Sequence, residues 1–286
     1  MSKTGLVLEG GAMRGLYTAA VLDVMSEQHL QLDGMIGVSA GATFGCNFKS
    51  DQPYRTLRYN LRFCKNWHYA SWRSWLLTGD LYGAKFCYDD IPHVLDPFDS
   101  AAFAKNPMEF YVVCTDMKTG KAVYHPCRDG GEEDLKWIRA SASLPVFSRP
   151  VEAGGMLLSD GGTADSIPVR WFEAQGYERQ VVILTQPQGF RKQPYSNIKA
   201  MKAALHRYPE LGKALEDRYL RYNETLDYIA EKEAAGMYFV LRPSVKLPVG
   251  PVVHDPEKMK EAYAIGRRDI DKKLPLLKRF LAPENG

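Results

Sequence analysis

Apolar residues in this chain fall into two patterns. Short unbroken runs at Gly5-Leu6-Val7-Leu8, Gly34-Met35-Ile36, 181–184 and 238–241 are spaced like buried parallel strands. Between and after them, apolar residues recur every three or four positions. Residues 15–28 predict a helix with Leu16, Ala19, Ala20, Leu22, Val24 and Met25 available for burial. The series from Met201 to Ile229 predicts two more, with Pro209 at the first turn of the second and Gly236 ending it. Asp255-Pro256-Glu257 reads as the cap of a final helix reaching about residue 281. Residues 109–114 and 122–125 flank a hairpin-like turn, Met117-Lys118-Thr119-Gly120, and 135–142 predict a short helix stopped by Pro145. The aromatic-rich stretch 52–107 is expected to be irregular. Strand–turn–helix repeated in this order predicts an α/β fold with a parallel sheet flanked by helices.

Composition adds limits. The 286 residues suffice for one large domain with an appendage; 45% hydrophobic and 25% charged content are those of an ordinary globular protein. A net charge of +3 gives no support for nucleic-acid binding. No run approaches the 18 or so apolar residues of a membrane span. The start, Met1-Ser2-Lys3-Thr4, has no secretory hydrophobic region, and the five cysteines lack C-x-x-C spacing. A cytoplasmic protein with reduced thiols and no metal is therefore expected, with peripheral contact at the inner membrane face left open to it.

The chemistry centres on Gly37-Val38-Ser39-Ala40-Gly41. The pentapeptide alone is weak evidence, since a chain of this length holds one by chance about one time in ten. Here a strand precedes it and a helix follows, which presents Ser39 on a tight turn as a nucleophile, with Gly37 and Gly41 avoiding collisions. A serine hydroxyl needs a base and donors for the oxyanion. Glu9-Gly10-Gly11-Ala12-Met13-Arg14-Gly15 supplies backbone N–H groups, if the first two strands are neighbours, and Asp160-Gly161-Gly162 supplies a carboxylate.

Together these three motifs resemble the patatin-like phospholipase family over roughly residues 5–185. Ala140-Ser141-Ala142-Ser143-Leu144-Pro145-Val146-Phe147 resembles the segment that precedes the family's aspartate. The resemblance implies a three-layer α/β/α patatin-like fold with a mainly parallel central sheet and a helical C-terminal elaboration. It implies an acyl-hydrolase unit over 1–245 and a helical extension over 246–286. It also implies a serine acyl hydrolase of lipid or small esters, needing neither cofactor nor metal. Ser39 is the implied nucleophile, Asp160 its base, and Gly10, Gly11, Ala12 and Arg14 the oxyanion-hole segment. Two departures stand out: Ala12 replaces the usual third glycine, and Glu9 the usual aspartate.

Other features of the chain compete with this reading. Ala12 breaks a G-x-G-x-x-G dinucleotide fingerprint. A Ser-His-Asp triad has His206 or His254 in suitable order, although Ser39 lies on the second strand, early for such a fold. Asp116 reads as structural. Arg14 serves either the loop or catalysis, and the aromatic stretch at 67–75 serves an acyl pocket, a lipid surface or the core. The final helix, basic and amphipathic, is expected to cover its own domain rather than a membrane. A catalytically idle binding module on the same fold is the remaining alternative.

Overall fold

The computed structural model describes residues 3–282; the outer ends of the two expected units, 1–2 and 283–286, lie outside the described residues. Eight strands form one sheet: β1 (Thr4–Leu8), β2 (Gly34–Val38), β3 (Glu109–Asp116), β4 (Ala122–Cys127), β5 (Val151–Ala153), β6 (Met156–Asp160), β7 (Arg179–Ile183) and β8 (Tyr238–Leu241). Ten helices surround it: α1 (Gly15–Glu27), α2 (Ala40–Lys49), α3 (Arg55–Phe63), α4 (Trp72–Thr78), α5 (Ser100–Lys105), α6 (Glu132–Ser141), α7 (Val169–Ala174), α8 (Ile198–Ala204), α9 (Pro209–Ala234) and α10 (Pro256–Leu281). The run β3–β2–β1–β7–β8 is parallel, whereas β4, β5 and β6 pair antiparallel.

Alternation along the strands separates two cores. Leu6, Leu8, Met35, Val112 and Ile183 face one side, packing against α1, α2, α6 and α10. Val7, Ile36, Val113, Val182 and Val240 face the other, under α7 and α9. This is the expected α/β fold in three layers. Helix α1 is buried from Gly15 to Met25 because α10 covers the side that the sheet does not. Helix α10 buries Met259, Tyr263, Ile270 and Leu277, so its apolar stripe covers its own fold. Asp255 caps it by accepting from the N–H groups of Glu257 and Lys258. Among the described residues no helix is long and apolar enough to cross a membrane.

The expectation of irregularity for 52–107 is corrected. The segment holds α3, α4, a π-helical stretch (Phe86–Leu95) and α5. Its helices are short and bury polar groups, which hides their apolar period. Arg55, buried on α3, donates to Asn47 Oδ1 at 2.7 Å and pairs with Asp96, also buried, at 3.3 Å. Helix α6 starts three residues before its apolar pattern, where Glu132, Glu133 and Asp134 form an acidic first turn. The three-residue β5 carries too little pattern to be seen in the sequence.

One feature of the sheet positions everything else. Strand β4 pairs with residues 110–115 of β3, β2 pairs with 109–113, and β6 pairs with 114–116. Because β4 occupies one edge of β3 throughout, β2 and β6 must share the other. They run toward each other along it, so Val38 opposite Val113 and Asp160 opposite Cys114 end side by side.

Candidate active site

Ser39 is the residue immediately after β2 and the N-cap of α2. Its backbone sits at φ 54°, ψ −119°, a region that side-chain-bearing residues rarely occupy. The strain belongs to the sharp strand-to-helix reversal that pushes the side chain outward. A Cβ on Gly41 would lie 2.4 Å from the Leu8 carbonyl oxygen, and one on Gly37 would lie 2.7 Å from Ala42 N, so the turn closes only with glycine at both positions.

Ser39 Oγ donates to Asp160 Oδ2 at 2.6 Å. The other carboxylate oxygen, Oδ1, accepts from Gly162 N at 2.7 Å, and the Asp160 carbonyl accepts from Thr115 Oγ1 at 2.8 Å. Asp160 is 4% exposed. Burial pushes its carboxyl above the usual range, while the Ser39 hydroxyl, the Arg218 charge, the Gly162 N–H and the Lys192 charge pull it back.

The Ala/Ser-rich segment before Asp160 braces both residues. The buried Ser141 hydroxyl accepts from Ser39 N at 2.9 Å and donates to the Val113 carbonyl at 2.6 Å. The Ser143 carbonyl accepts from Asp160 N and from Ser159 Oγ, each at 2.8 Å. Ser39 N–H is thus engaged by Ser141 and is not free for another acceptor.

The loop after β1 lies next to the serine. Strands β1 and β2 are neighbours, with Leu8 opposite Gly37. A Cβ on Gly10 would lie 3.0 Å from Ser39 Cβ, so the loop's backbone runs directly beside the serine. Among the described residues the N–H groups of Gly10, Gly11 and Ala12 meet no acceptor. Glu9, 2% exposed, anchors the loop from behind: its carboxylate accepts from Thr185 N at 2.6 Å and from Tyr222 OH at 2.7 Å. Ala12 adopts φ 48°, the left-handed region that favours glycine. The Ala12 methyl group is therefore tolerated at a cost in strain.

Two cavities meet at Ser39. The inner one, about 110 Å³, is walled by apolar and aromatic groups such as Phe44, Tyr59, Tyr88, Ile138 and Leu144. The outer cleft, about 630 Å³, also holds Asp160, Gly10, Gly11, Ala12 and Arg14. It adds Lys192, Tyr195 and Arg218, which the sequence reading missed. They lie beyond its motifs, and a lone lysine in a loop or a lone arginine on a helix gives no signal. No histidine among the described residues lines either cavity. His206 is exposed near the Ala203 carbonyl, and His254 contacts the Cys64 carbonyl. Asp116 accepts from Lys118 N and Thr119 Oγ1 at its hairpin, a turn role. Apart from the site, His125, Cys127 and Asp134 converge within 4.8 Å. One Asp134 oxygen already accepts three backbone N–H groups there, from Arg128, Asp129 and Gly130.

The patatin-like phospholipase family matches residues 6–172, and a domain of unknown function, DUF6363, matches 208–282. The uncharacterized protein YjjU of Escherichia coli is 30% identical over 65% of this chain and 52% of its own length. The lysophospholipase NTE1 of Saccharomyces cerevisiae is 26% identical over 60% of this chain and 10% of its own. The chain thus spans about half of one relative and a tenth of the other. The crystal structure of VipD from Legionella pneumophila aligns with a TM-score of 0.48 at 13% identity, over 96% of this chain and 67% of that one.

Two outcomes follow from this geometry. Ser141→Ala strands the Ser39 N–H and should lower the unfolding free energy by about 1–3 kcal/mol. Turnover should drop tenfold to a hundredfold with KM little changed, because the nucleophile loses its brace; unaltered melting and turnover would mean that the brace is dispensable. Ala12→Gly relieves the left-handed strain of roughly 1–2 kcal/mol while loosening the unfolded chain by up to ~1 kcal/mol. Urea unfolding should therefore show equal or slightly higher stability, with turnover altered less than about tenfold since the N–H donor remains.

Proposed function

The chain belongs to the patatin-like phospholipase family, and on that premise we propose that it is a lipid-ester hydrolase using Ser39 as nucleophile and Asp160 as base. The observation that carries this reading is the 2.6 Å hydrogen bond between the two on a strained turn. Asp160 Oδ2 takes the hydroxyl proton as Ser39 Oγ attacks the acyl carbonyl. The N–H groups of Gly10, Gly11 and Ala12 receive the oxyanion. Collapse expels the alcohol, which takes the proton from Asp160 and leaves an acyl-Ser39. Water then attacks with Asp160 again accepting a proton, and the second collapse releases the carboxylic acid and restores the serine.

The substrates we propose are carboxylic esters of phospholipids or lysophospholipids, in keeping with relatives named as lysophospholipases. The absence of histidine from both cavities, among the described residues, favours the dyad over a triad through His206 or His254. Five free cysteines favour a cytoplasmic setting. We propose too that residues 246–286 act as an extension clamped on the hydrolase unit through α10 against α1.

A lipid surface is approached through α4. Three of the eight exposed large apolar side chains among the described residues, Trp72, Leu76 and Leu77, lie on that one helix. Trp72 also lines the outer cleft. An apolar cluster at the cleft mouth suits insertion into a bilayer's headgroup region.

Ser39→Ala and Asp160→Asn, purified and shown to be folded, should each lose at least a thousandfold in ester hydrolysis. A fluorophosphonate probe should label wild type at Ser39 alone; labelling elsewhere, or hydrolysis by folded Ser39→Ala, would end the reading. Because Asp160 must be ionised to accept a proton and burial raises its pKa, kcat/KM should fall as pH drops, beginning at higher pH than for an ordinary aspartate. Leu76→Glu should weaken sedimentation with phosphatidylcholine vesicles while hydrolysis of a water-soluble short-chain ester stays near wild type. Equal vesicle binding would move the lipid contact away from α4.

A further inference from the structure

Three cations converge on the outer cleft without protein counterions to match. Lys192, in the loop between β7 and α8, is held by its backbone: Lys192 N donates to Asn223 Oδ1 at 2.8 Å, and its carbonyl accepts from Asn223 Nδ2 at 3.0 Å. Its ammonium lies 4.4 Å above the Tyr222 ring, and among the described residues it has no hydrogen-bond acceptor or ion-pair partner. Arg218, one turn earlier on α9, is oriented by Ser166 Oγ at 3.3 Å and by the Tyr195 hydroxyl. Its second terminal nitrogen hangs over Gly162, where a Cβ would come within 3.1 Å. Arg14 contributes a buried Nε with no partner.

Among the described residues the only carboxylate lining this cleft is Asp160, whose oxygens are already engaged by Ser39 and Gly162. The lining of the same cleft also includes the apolar Trp72, Leu81 and Phe147. A cleft that joins apolar side chains to unpaired cations and reaches Ser39 suits an amphiphile with an anionic head.

We propose that Lys192 and Arg218, with Arg14 beside them, form a phosphate-binding subsite next to Ser39 that selects lipid esters bearing a phosphate over uncharged ones. The assignment rests on the reading of Ser39 as the nucleophile. Phosphate oxygens would accept from the lysine ammonium and the free guanidinium nitrogen, contacts strengthened by charge. Burial and the neighbouring Arg218 hold the Lys192 ammonium down at about 7, and a bound phosphate would remove much of that penalty.

The test compares lysophosphatidic acid with a monoacylglycerol of the same acyl chain, presented in the same detergent micelles. The ratio of their kcat/KM values should fall at least about tenfold in Lys192→Met and return largely in Lys192→Arg. A ratio within twofold of wild type would overturn the subsite. Calorimetric binding of sn-glycerol 3-phosphate reads the subsite without turnover: it should be at least about tenfold weaker in Lys192→Met. Binding as tight as wild type would overturn the proposal even if hydrolysis failed for other reasons. Inorganic phosphate binding as tightly as sn-glycerol 3-phosphate would overturn the assignment to a lipid headgroup. If wild type hydrolyses neither ester while the calorimetric difference stands, it is the Ser39 reading that fails and not the subsite.

Discussion

The site depends on two strands meeting end to end along one edge of β3. A parallel sheet ordinarily lets each strand end in its own loop, and residues on two such ends need not touch. Here β6 enters antiparallel on the edge that β2 has just vacated, so Ser39 and Asp160 leave the sheet at the same point. Neither loop has to span a gap to bring the two side chains to 2.6 Å. Chemistry built on strand ends is held by the sheet's hydrogen bonds, which are far stiffer than a surface loop. The residues around the junction extend that stiffness: Ser141 fastens the serine's backbone and Ser143 the aspartate's, so the segment before Asp160 works as a common brace.

That brace also divides the labour among backbone donors. With the Ser39 N–H tied to Ser141, the proposed mechanism leaves the loop after β1 to face the oxyanion. The loop needs an anchor that does not use its own N–H groups, and Glu9 provides it by bonding to Thr185 on one side and Tyr222 on the other. Tyr222 belongs to α9, within the region matched by the second family. An aspartate at position 9 would be one methylene shorter than the glutamate that makes both bonds here. The two family-matched regions therefore share one buried carboxylate behind the loop.

Legibility in the sequence followed the kind of interaction involved. Strands β1, β2, β7 and β8 were readable because burial on both faces leaves continuous apolar runs, and α9 and α10 because one-sided burial leaves a helical period. Of the candidate site, the motif residues were visible because tight turns require glycine and so leave a local signature. The cap over the inner cavity was not readable, since α3 buries Arg55, Thr56 and Asn60 among its apolar residues. Lys192 and Arg218 were invisible for a different reason. They reach the cleft through a loop fixed by Asn223 and a helix that passes over Gly162, and such long-range placement leaves no spacing to detect. Ala12 was noticed as a departure, but only the backbone reveals that its φ lies in the left-handed region.

Burying a carboxylate has two opposed effects on a base. Removal from water raises its pKa, which makes it a stronger proton acceptor but leaves it protonated at lower pH. The surroundings of Asp160 balance these effects. Two donors, Ser39 and Gly162, stabilise the anion at short range, while Arg218 and Lys192 do so through charge without a direct bond. A salt bridge to the carboxylate would favour the anion more strongly and weaken it as a base. Cations held back from contact keep the group ionised and still leave both for another anion. The same arrangement adds the mutual repulsion of Lys192 and Arg218 to the cost of burying the ammonium, and the Tyr222 ring face offsets that cost only in part. On the proposed roles, the charges that tune Asp160 are the same ones that would meet an anionic ligand.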